Sequence, residues 1–158
     1  MRPRMVDIAY SHVFAHDAKA CYEWLTDYSE DDPSYTPTIV TGRQVLERSP
    51  DRVVLHAKND IMGRRAEGRA EIRLFPDELR YEARSLEGDG GAIHYRYHLT
   101  PLADGRTRLD VTYGTRVRKP SRWLAINLGR PAVKRQLRQM WLGFESQMDK
   151  DLAAPQRG

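Results

Sequence analysis

The sequence has few of the features that mark several large classes of protein. One residue of 158 is a cysteine, Cys21, which excludes an internal disulfide and a multi-thiolate metal site and fits a reducing cytoplasm. No apolar run approaches the roughly 18 residues that a membrane-spanning helix needs. Residues 1–8 contain no apolar block, so no secretory signal peptide is expected. These features predict a cytoplasmic protein without a transmembrane segment.

Motifs for catalysis and for cofactor binding are also missing. There is no nucleophile elbow, P-loop or dinucleotide fingerprint, and the glycine-rich segment 88–91 lacks the strand-to-helix context of a phosphate loop. The five histidines form no HExxH motif. His94 and His98 would lie about 13 Å apart along one strand, which is too far to share a metal ion. We therefore assign no metal, no cofactor and no catalytic residue from motifs.

Charge is ordinary in amount and basic in balance. The formal net charge is +4 and the pI is about 9.3, with the arginines scattered along the chain. Scattered arginine is typical of a solvated surface, so no specific nucleic-acid partner is predicted. One basic run has the charge to contact a membrane surface or RNA: Arg130, Lys134, Arg135 and Arg138. A monomer and a homodimer fit this composition equally well.

The longest periodic segment predicts a helix over about residues 131–152. Its apolar residues recur at helical spacing in one arc about 120° wide, as in a helix packed on a core. The members of the arc are Val133, Leu137, Met140, Trp141, Phe144, Met148 and Leu152. The basic run comes early in this helix, and the acidic residues Glu145, Asp149 and Asp151 come late, against the preference of the helix dipole. A solvated face explains this order, and an unidentified partner is the alternative.

The rest of the chain predicts a sheet. Residues 5–14 alternate as a strand, and a short helix over 18–26 follows, with Asp17 as its N-cap. Residues 27–37 indicate a turn or a second short helix. Short turns separate six further extended segments, which therefore pair antiparallel: 39–48, 52–59, 64–75, 78–86, 92–102 and 106–118. The prediction is one α+β domain over residues 1–158 with a seven-stranded antiparallel sheet.

One predicted strand carries unusually small residues on its inner face. Ala66, Gly68 and Ala70 alternate toward the helix and would leave a hollow beneath it. The alternatives are a glycine bulge that bends the sheet and a helix that simply sits closer there. The outward residues of the same strand alternate in sign and predict exposed cross-strand ion pairs: Arg65, Glu67, Arg69, Glu71 and Arg73.

Tyrosine dominates the predicted inner face of the sheet. Buried phenols need hydrogen-bond partners, and an apolar hollow with a few polar groups is typical of a small-molecule pocket. Each tyrosine taken alone is more often a core residue than a ligand contact. The residues predicted to line a ligand cavity are Tyr10, Asn59, Gly68, Ala70, Tyr81, Tyr95, Tyr97, Tyr113, Met140 and Phe144.

Three segments of the chain are similar to the START-like superfamily. They are residues 13–18 leading into 24–28, the hairpin 98–109, and the amphipathic helix from Pro131. This superfamily, also called SRPBCC, includes polyketide cyclase/dehydrase-like proteins and birch-pollen-allergen relatives. The resemblance spans nearly the whole chain. It implies a helix-grip fold, in which a curved sheet wraps around the C-terminal helix and one or two short helices follow the first strand.

The resemblance also implies a cavity between sheet and helix for a hydrophobic small molecule, such as a lipid, a quinone or a polyketide-like aromatic. Three functions stay open: a ligand-binding module, a cyclase or dehydratase that uses Tyr and His as acid–base groups, and an interaction protein that uses its basic helix. The sequence favours a binding role over an enzymatic one, because the candidate acid–base side chains, Tyr and His, show no paired arrangement. The additional apolar segment 122–131 is a candidate lid.

Overall fold

The computed structural model describes residue 2 and residues 4–28, 40–61, 64–88 and 93–153. Its strands are β1 (Arg4–Phe14), β2 (Val40–Ser49), β3 (Arg52–Ile61), β4 (Arg64–Phe75), β5 (Arg80–Gly88), β6 (Ile93–Pro101) and β7 (Thr107–Val117). Its helices are α1 (Ala18–Thr26), α2 (Pro120–Leu128) and α3 (Arg130–Ala153). Most of the segment 27–37, where a turn or a short helix is expected, lies outside the described residues.

All seven strands form one antiparallel sheet in the order β1-β7-β6-β5-β4-β3-β2. Strands β2 to β7 follow each other as a meander, because short turns allow neighbouring strands to pair. The exception is β1, which pairs with β7 in the register Ile8↔Tyr113 and places the N-terminal strand at one edge. The predicted fold class, a curved antiparallel sheet with a long C-terminal helix, is confirmed.

Helix α3 lies against the inner face of the sheet through six of the seven residues of the predicted apolar arc, whereas Leu152, near the helix end, is exposed. Its fully buried residues are Leu137, Met140, Trp141, Phe144 and Met148. Leu142 points away and is exposed, as the helical period requires. The helix begins at Arg130, one residue before the predicted start, because Val133 N–H already donates to the carbonyl of Gly129 at 3.0 Å.

Helix α1 is fixed by a side-chain cap at its start and by the hydrogen bonds of a buried tyrosine. The Asp17 side chain accepts a hydrogen bond from the Ala20 N–H at 3.0 Å, which is the predicted N-cap. The Tyr22 hydroxyl donates to the Arg80 carbonyl at 2.9 Å and accepts from the Phe75 N–H at 3.1 Å. One phenol therefore ties α1 to the turn between β4 and β5.

That turn differs from the prediction, which began a strand at residue 78. Pro76–Glu78 form a single 3-10 turn, and Leu79 adopts a left-handed conformation with φ 51°. Proline favours the first position of such a turn because its φ is already fixed near the helical value. Strand β5 therefore starts at Arg80.

The register of the sheet shifts at three places, between Val40 and Gly42 on β2 and at two further β-bulges. One lies between Val45 and Glu47 on β2, and the other follows Gly68, between Arg69 and Ala70 in the pairing of β4 with β5. The extra residues are Leu46 and Leu86, and both side chains are exposed. Because a bulge increases local twist and curvature, these positions curve the sheet around the helix. The bulge expected at Gly68 lies instead on the partner strand β5, where Leu86 is the additional residue and Gly68 itself pairs regularly with Gly88.

The outer face of β4 differs from the prediction at Glu71, which was expected to be exposed. Glu71 is only 5% exposed because three arginine side chains surround its carboxylate: Arg52 at 2.7 Å, Arg84 at 2.9 Å and Arg73 at 3.1 Å. The predicted cross-strand ion pairs are therefore present at Glu71, and they cover it. Val54, which is paired with Glu71 on β3, is buried as well.

Candidate functional site

Packing beneath α3 changes from one end of the sheet to the other. Near the β4–β5 and β6–β7 turns the inner residues are fully buried, as Phe14, Ile72, Leu99, Leu109 and Met148 demonstrate. Toward the opposite end, inner residues of six strands and α3 keep part of their surface. These half-buried residues are Tyr10, Ala57, Asn59, Gly68, Ala70, Ser85, Tyr95, Tyr97, Tyr113, Val133 and Gln136. The packing is therefore close at one end of the sheet and looser at the other, and we call the looser region beneath α3 the hollow.

Aromatic rings of β6 and β7 form the wall of this hollow, and Tyr81 of β5 packs behind them in the core. Tyr81 and Tyr97 stack with ring centroids 4.3 Å apart and an interplanar angle of 9°. Tyr95 meets Tyr113 edge to face at 4.9 Å. The Trp141 indole N–H on α3 donates to the Tyr113 hydroxyl at 3.3 Å. The rings therefore connect the sheet to the helix and present both apolar surface and hydroxyl groups.

These phenols lie far from bulk water. Desolvation raises the pKa of Tyr95 to about 12, and it also raises the pKa values of Tyr97 and Tyr113. At Tyr113 the hydrogen bonds with Trp141 and Tyr97 offset part of this effect. The same three side chains are half-buried. Side chains that are desolvated and yet retain surface line a concave interior rather than the outside of the molecule.

The predicted cavity residues separate into two groups. Seven lie on the half-buried wall: Tyr10, Asn59, Gly68, Ala70, Tyr95, Tyr97 and Tyr113. The other three, Tyr81, Met140 and Phe144, are at most 7% exposed and belong to the packed core that supports the wall. The side chain of Ala66, which was expected to contribute space, lies outside the described residues.

Sequence reasoning missed Gln136 of α3. Its side-chain amide donates to the carbonyl of Asp60 at 3.2 Å, so the first half of the helix is joined to the end of β3 beside Asn59. Next to it, Pro131, Ala132, Arg135, Gln136 and Gln139 line an open cleft of about 530 Å³. The available signal was a polar residue one turn from Val133 and Met140, at the border of the apolar arc.

A second feature missed from the sequence is a hydrogen-bonded chain across the edge of the sheet. His12 Nε2 lies 2.7 Å from Glu145 Oε2, and His12 Nδ1 lies 3.3 Å from the Tyr10 hydroxyl. One helical turn further on, His16 Nε2 lies 2.7 Å from Asp149. His12 and His16 meet residues that are themselves four apart on α3, so the match required the three-dimensional pairing of β1 with the helix.

The late acidic residues of α3 therefore have partners within the chain. Glu145 meets His12, Asp149 meets His16, and Asp151 accepts from the Trp24 indole N–H at 2.8 Å. These contacts account for the unfavourable order of charges along the helix without an external partner.

Within the described residues, no group of three or more metal-ligating side chains comes together. No helix in the described part of the chain is long and apolar enough to cross a membrane. Another open cleft, of about 890 Å³, lies between α1 and the β2–β3 and β4–β5 turns, and its lining includes Tyr22, Arg48 and Asp77. It shares no lining residue with the half-buried set around the hollow.

The architecture and the hollow together define a helix-grip protein. Solved structures of several proteins share this architecture. The Zhui aromatase/cyclase from Streptomyces sp. R1128 aligns with TM-score 0.79 and 16% identity over 97% of this chain and 99% of its own. A START superfamily protein from Mycobacterium smegmatis aligns with TM-score 0.69 and 20% identity over 91% and 97%.

A plant protein shares the fold as well. Ginseng major latex-like protein 151 from Panax ginseng aligns with TM-score 0.67 and 13% identity over 91% of this chain and 97% of its own. No protein-family model and no curated protein matches the sequence. The resemblance to START-like proteins is therefore confirmed by structure, at the level of the fold.

Proposed function

We propose that the protein binds a hydrophobic small molecule in the hollow between the sheet and α3. The observation that carries this proposal is the aromatic wall formed by Tyr95, Tyr97 and Tyr113. These side chains are half-buried and desolvated, whereas the rest of the interface between the sheet and α3 is closely packed. A pocket of this kind suits an apolar ring or chain with one or two oxygen atoms, because Tyr97 and Tyr113 supply hydroxyl groups in apolar surroundings. A lipid, a quinone and a polyketide-like aromatic all meet this description.

The test is to fill the hollow. Ala70→Leu adds three carbons on the half-buried wall, so it should leave the stability unchanged or higher and reduce the uptake of an apolar fluorescent probe. Ala83→Leu is the matched control, because Ala83 is fully buried, and overpacking there should destabilise by about 1–3 kcal/mol. Chemical denaturation measures the stability of both variants.

Strong destabilisation by Ala70→Leu, together with a wild type that never binds a probe, would contradict the proposal. Native mass spectrometry of the purified protein gives an independent answer, since a bound small molecule would appear as added mass. Tyr97→Phe keeps the shape of the wall and removes one hydroxyl, and it should weaken the binding of oxygen-containing probes alone.

A second candidate function is acid–base catalysis on a ligand in the same hollow, and the Glu145–His12–Tyr10 chain favours it. An ionised carboxylate only accepts hydrogen bonds, so Nε2 of His12 carries a proton toward Glu145. In the neutral imidazole Nδ1 is then an acceptor, and the Tyr10 hydroxyl donates to it. Desolvation raises the pKa of Tyr10, which keeps its phenol protonated. This arrangement suits a proton relay, in which the Tyr10 oxygen takes a proton from the carbon beside a ligand carbonyl while its own proton passes to His12 Nδ1.

The catalytic candidate predicts exchange of the α-protons of an aromatic ketone with solvent deuterium, followed by NMR. Tyr10→Phe should abolish the exchange and leave probe binding intact. Tyr95→Phe is the control and should retain the exchange, because the Tyr95 phenol is not part of the hydrogen-bonded chain from Glu145 to Tyr10. Equal exchange in both variants would exclude the Tyr10 role and leave the binding proposal in place.

A further inference from the structure

A long stretch of the C-terminal third contains cations and no acidic residue. From Val111 to Phe144 there is no Asp or Glu, while eight basic residues occur: Arg116, Arg118, Lys119, Arg122, Arg130, Lys134, Arg135 and Arg138. Six of them are exposed, and Arg122 and Arg130 are half-buried. The stretch includes α2 and the first half of α3, so the positive charge is concentrated around these two helices.

Helix α2 presents apolar side chains to solvent. None of its residues is fully buried, and its outward face is formed by Ser121, Leu124, Ala125 and Leu128. Leu124 is 53% exposed and Leu128 is 74% exposed. The opposite face packs on the sheet edge, where the guanidinium of Arg4 lies 5.0 Å from the ring centre of Trp123. Because the opposite face of α2 packs on the sheet edge, Leu124 and Leu128 remain exposed to solvent.

The exposed face continues from α2 into α3. Gly129 N–H donates to the Ala125 carbonyl at 2.9 Å and Val133 N–H donates to the Gly129 carbonyl at 3.0 Å, so helical hydrogen bonds bridge the junction. Exposed residues recur every three or four positions along this stripe: Leu124, Leu128, Ala132, Arg135, Gln139 and Leu142. This spacing gives a stripe that is apolar over Leu124, Leu128 and Ala132 and that continues on α3 with the polar residues Arg135 and Gln139.

The chemistry of this surface fits an anionic lipid bilayer better than a nucleic acid. Basic helices with protruding aliphatic residues bind lipid headgroups through charge and insert apolar side chains into the interface. Single-stranded nucleic acids require exposed aromatic side chains for stacking. The large apolar side chains exposed in the described part of the chain are aliphatic or methionine.

We propose that α2 and the first turns of α3 dock on an anionic membrane surface, with Leu124 and Leu128 inserted at the level of the headgroups. The open cleft beside Gln136 lies on the same half of α3, next to the end of β3 that carries Asn59. Docking would place this cleft close to the bilayer, so an apolar molecule could pass from the bilayer into the cleft. The docking itself does not depend on ligand binding.

Cosedimentation with lipid vesicles tests the proposal. The wild-type protein should bind vesicles that contain phosphatidylglycerol and should bind pure phosphatidylcholine weakly, and salt should reduce the binding. The double variant Leu124→Asp, Leu128→Asp should lose about tenfold or more in affinity. The matched control is Leu46→Asp, since Leu46 is an exposed leucine on β2, far from the stripe in the sheet order.

Charge reversal on α3 provides a second test of the docking. Lys134→Glu with Arg135→Glu should weaken the binding to phosphatidylglycerol vesicles, and thermal unfolding should confirm that every variant is folded. Four results would overturn the proposal: wild type that does not bind, an aspartate double variant that binds as wild type does, soluble glycerophosphate that displaces the protein from vesicles, or a preference for RNA over vesicles at equal salt. Probe uptake in solution is measured separately, so a failure of docking is distinguishable from a failure of the ligand proposal.

Discussion

At the scale of single residues, Glu71 has a structural role that its position on an outer face conceals. The guanidinium of Arg52 beside its carboxylate, helped by Arg73 and Arg84, holds its pKa below the usual range even though burial acts in the opposite direction. The carboxylate joins β3, β4 and β5, because Arg52 and Arg84 come from the two neighbouring strands. One acidic side chain thus links three strands on the face opposite to the hollow.

The lowered pKa of Glu71 predicts acid-sensitive stability. Because the folded-state pKa lies below the unfolded value of about 4.3, the contribution of Glu71 is present above that pH and is lost as the pH falls through the folded pKa. Glu71→Gln should flatten the dependence of the urea midpoint on pH in this acidic window. Glu23→Gln, on the exposed side of α1, should leave the dependence as in wild type; equal curves for wild type and Glu71→Gln would contradict the assignment.

At the scale of elements, α3 is the best-predicted part of the molecule. Its apolar arc, its length and its outward Leu142 follow from the helical period alone, because a helix that covers a core must bury one face. The contacts of its polar residues could not be predicted. Glu145, Asp149 and Gln136 meet His12, His16 and the carbonyl of Asp60, and these partners depend on how the helix crosses the sheet.

The seating of α3 predicts a contrast between two of its residues. Phe144 is fully buried, with its ring 5.5 Å from that of Trp141 and 5.9 Å from that of Trp24. Phe144→Ala should therefore cost about 3–5 kcal/mol of unfolding free energy by chemical denaturation. Leu142→Ala is the control on the exposed face and should change stability by about 0.5 kcal/mol or less. A loss under about 1 kcal/mol at Phe144 would mean that the helix is not seated there.

The strands were predictable where alternation is regular and less so where it breaks. Residues of β1, β6 and β7 lie on the expected faces because a two-residue period leaves no other choice once one face is buried. The bulges at Leu46 and Leu86 and the left-handed Leu79 shift the pattern, and no residue type at these positions indicates the shift. For the site, alternation indicated which tyrosines face inward. It could not distinguish the packed core from the half-buried wall, because that difference depends on how closely α3 packs on each part of the sheet.

At the scale of the whole molecule, the tyrosine-rich interior predicts alkaline unfolding. Desolvation raises the pKa values of Tyr81, Tyr95, Tyr97 and Tyr113. Since the folded-state values exceed the unfolded value of about 10, the stabilisation is present below that pH and is lost as the pH rises through the folded values, which for Tyr95 is about 12. Phenolate absorbance should therefore appear together with the loss of the circular dichroism of the folded chain.

Tyr95→Phe provides the check on this assignment. It removes one phenol that must ionise, so the alkaline midpoint should move to higher pH while the neutral-pH spectrum stays that of the folded protein. Tyrosines that all titrate near the ordinary pKa of about 10, with the dichroism retained, would show that the interior is open to water.

The pairing of β1 with β7 has a consequence for biosynthesis. A ribosome delivers β1 and α1 first, yet the strand that completes their pairing, Thr107–Val117, leaves the exit tunnel only after every other strand has been made. The meander of neighbouring strands can form from local contacts during this interval, whereas the N-terminal strand must wait, because long-range pairing has to overcome the entropy of closing a large loop. The N-terminal strand of the sheet is thus among the last to become part of it, although it is translated before the other six strands.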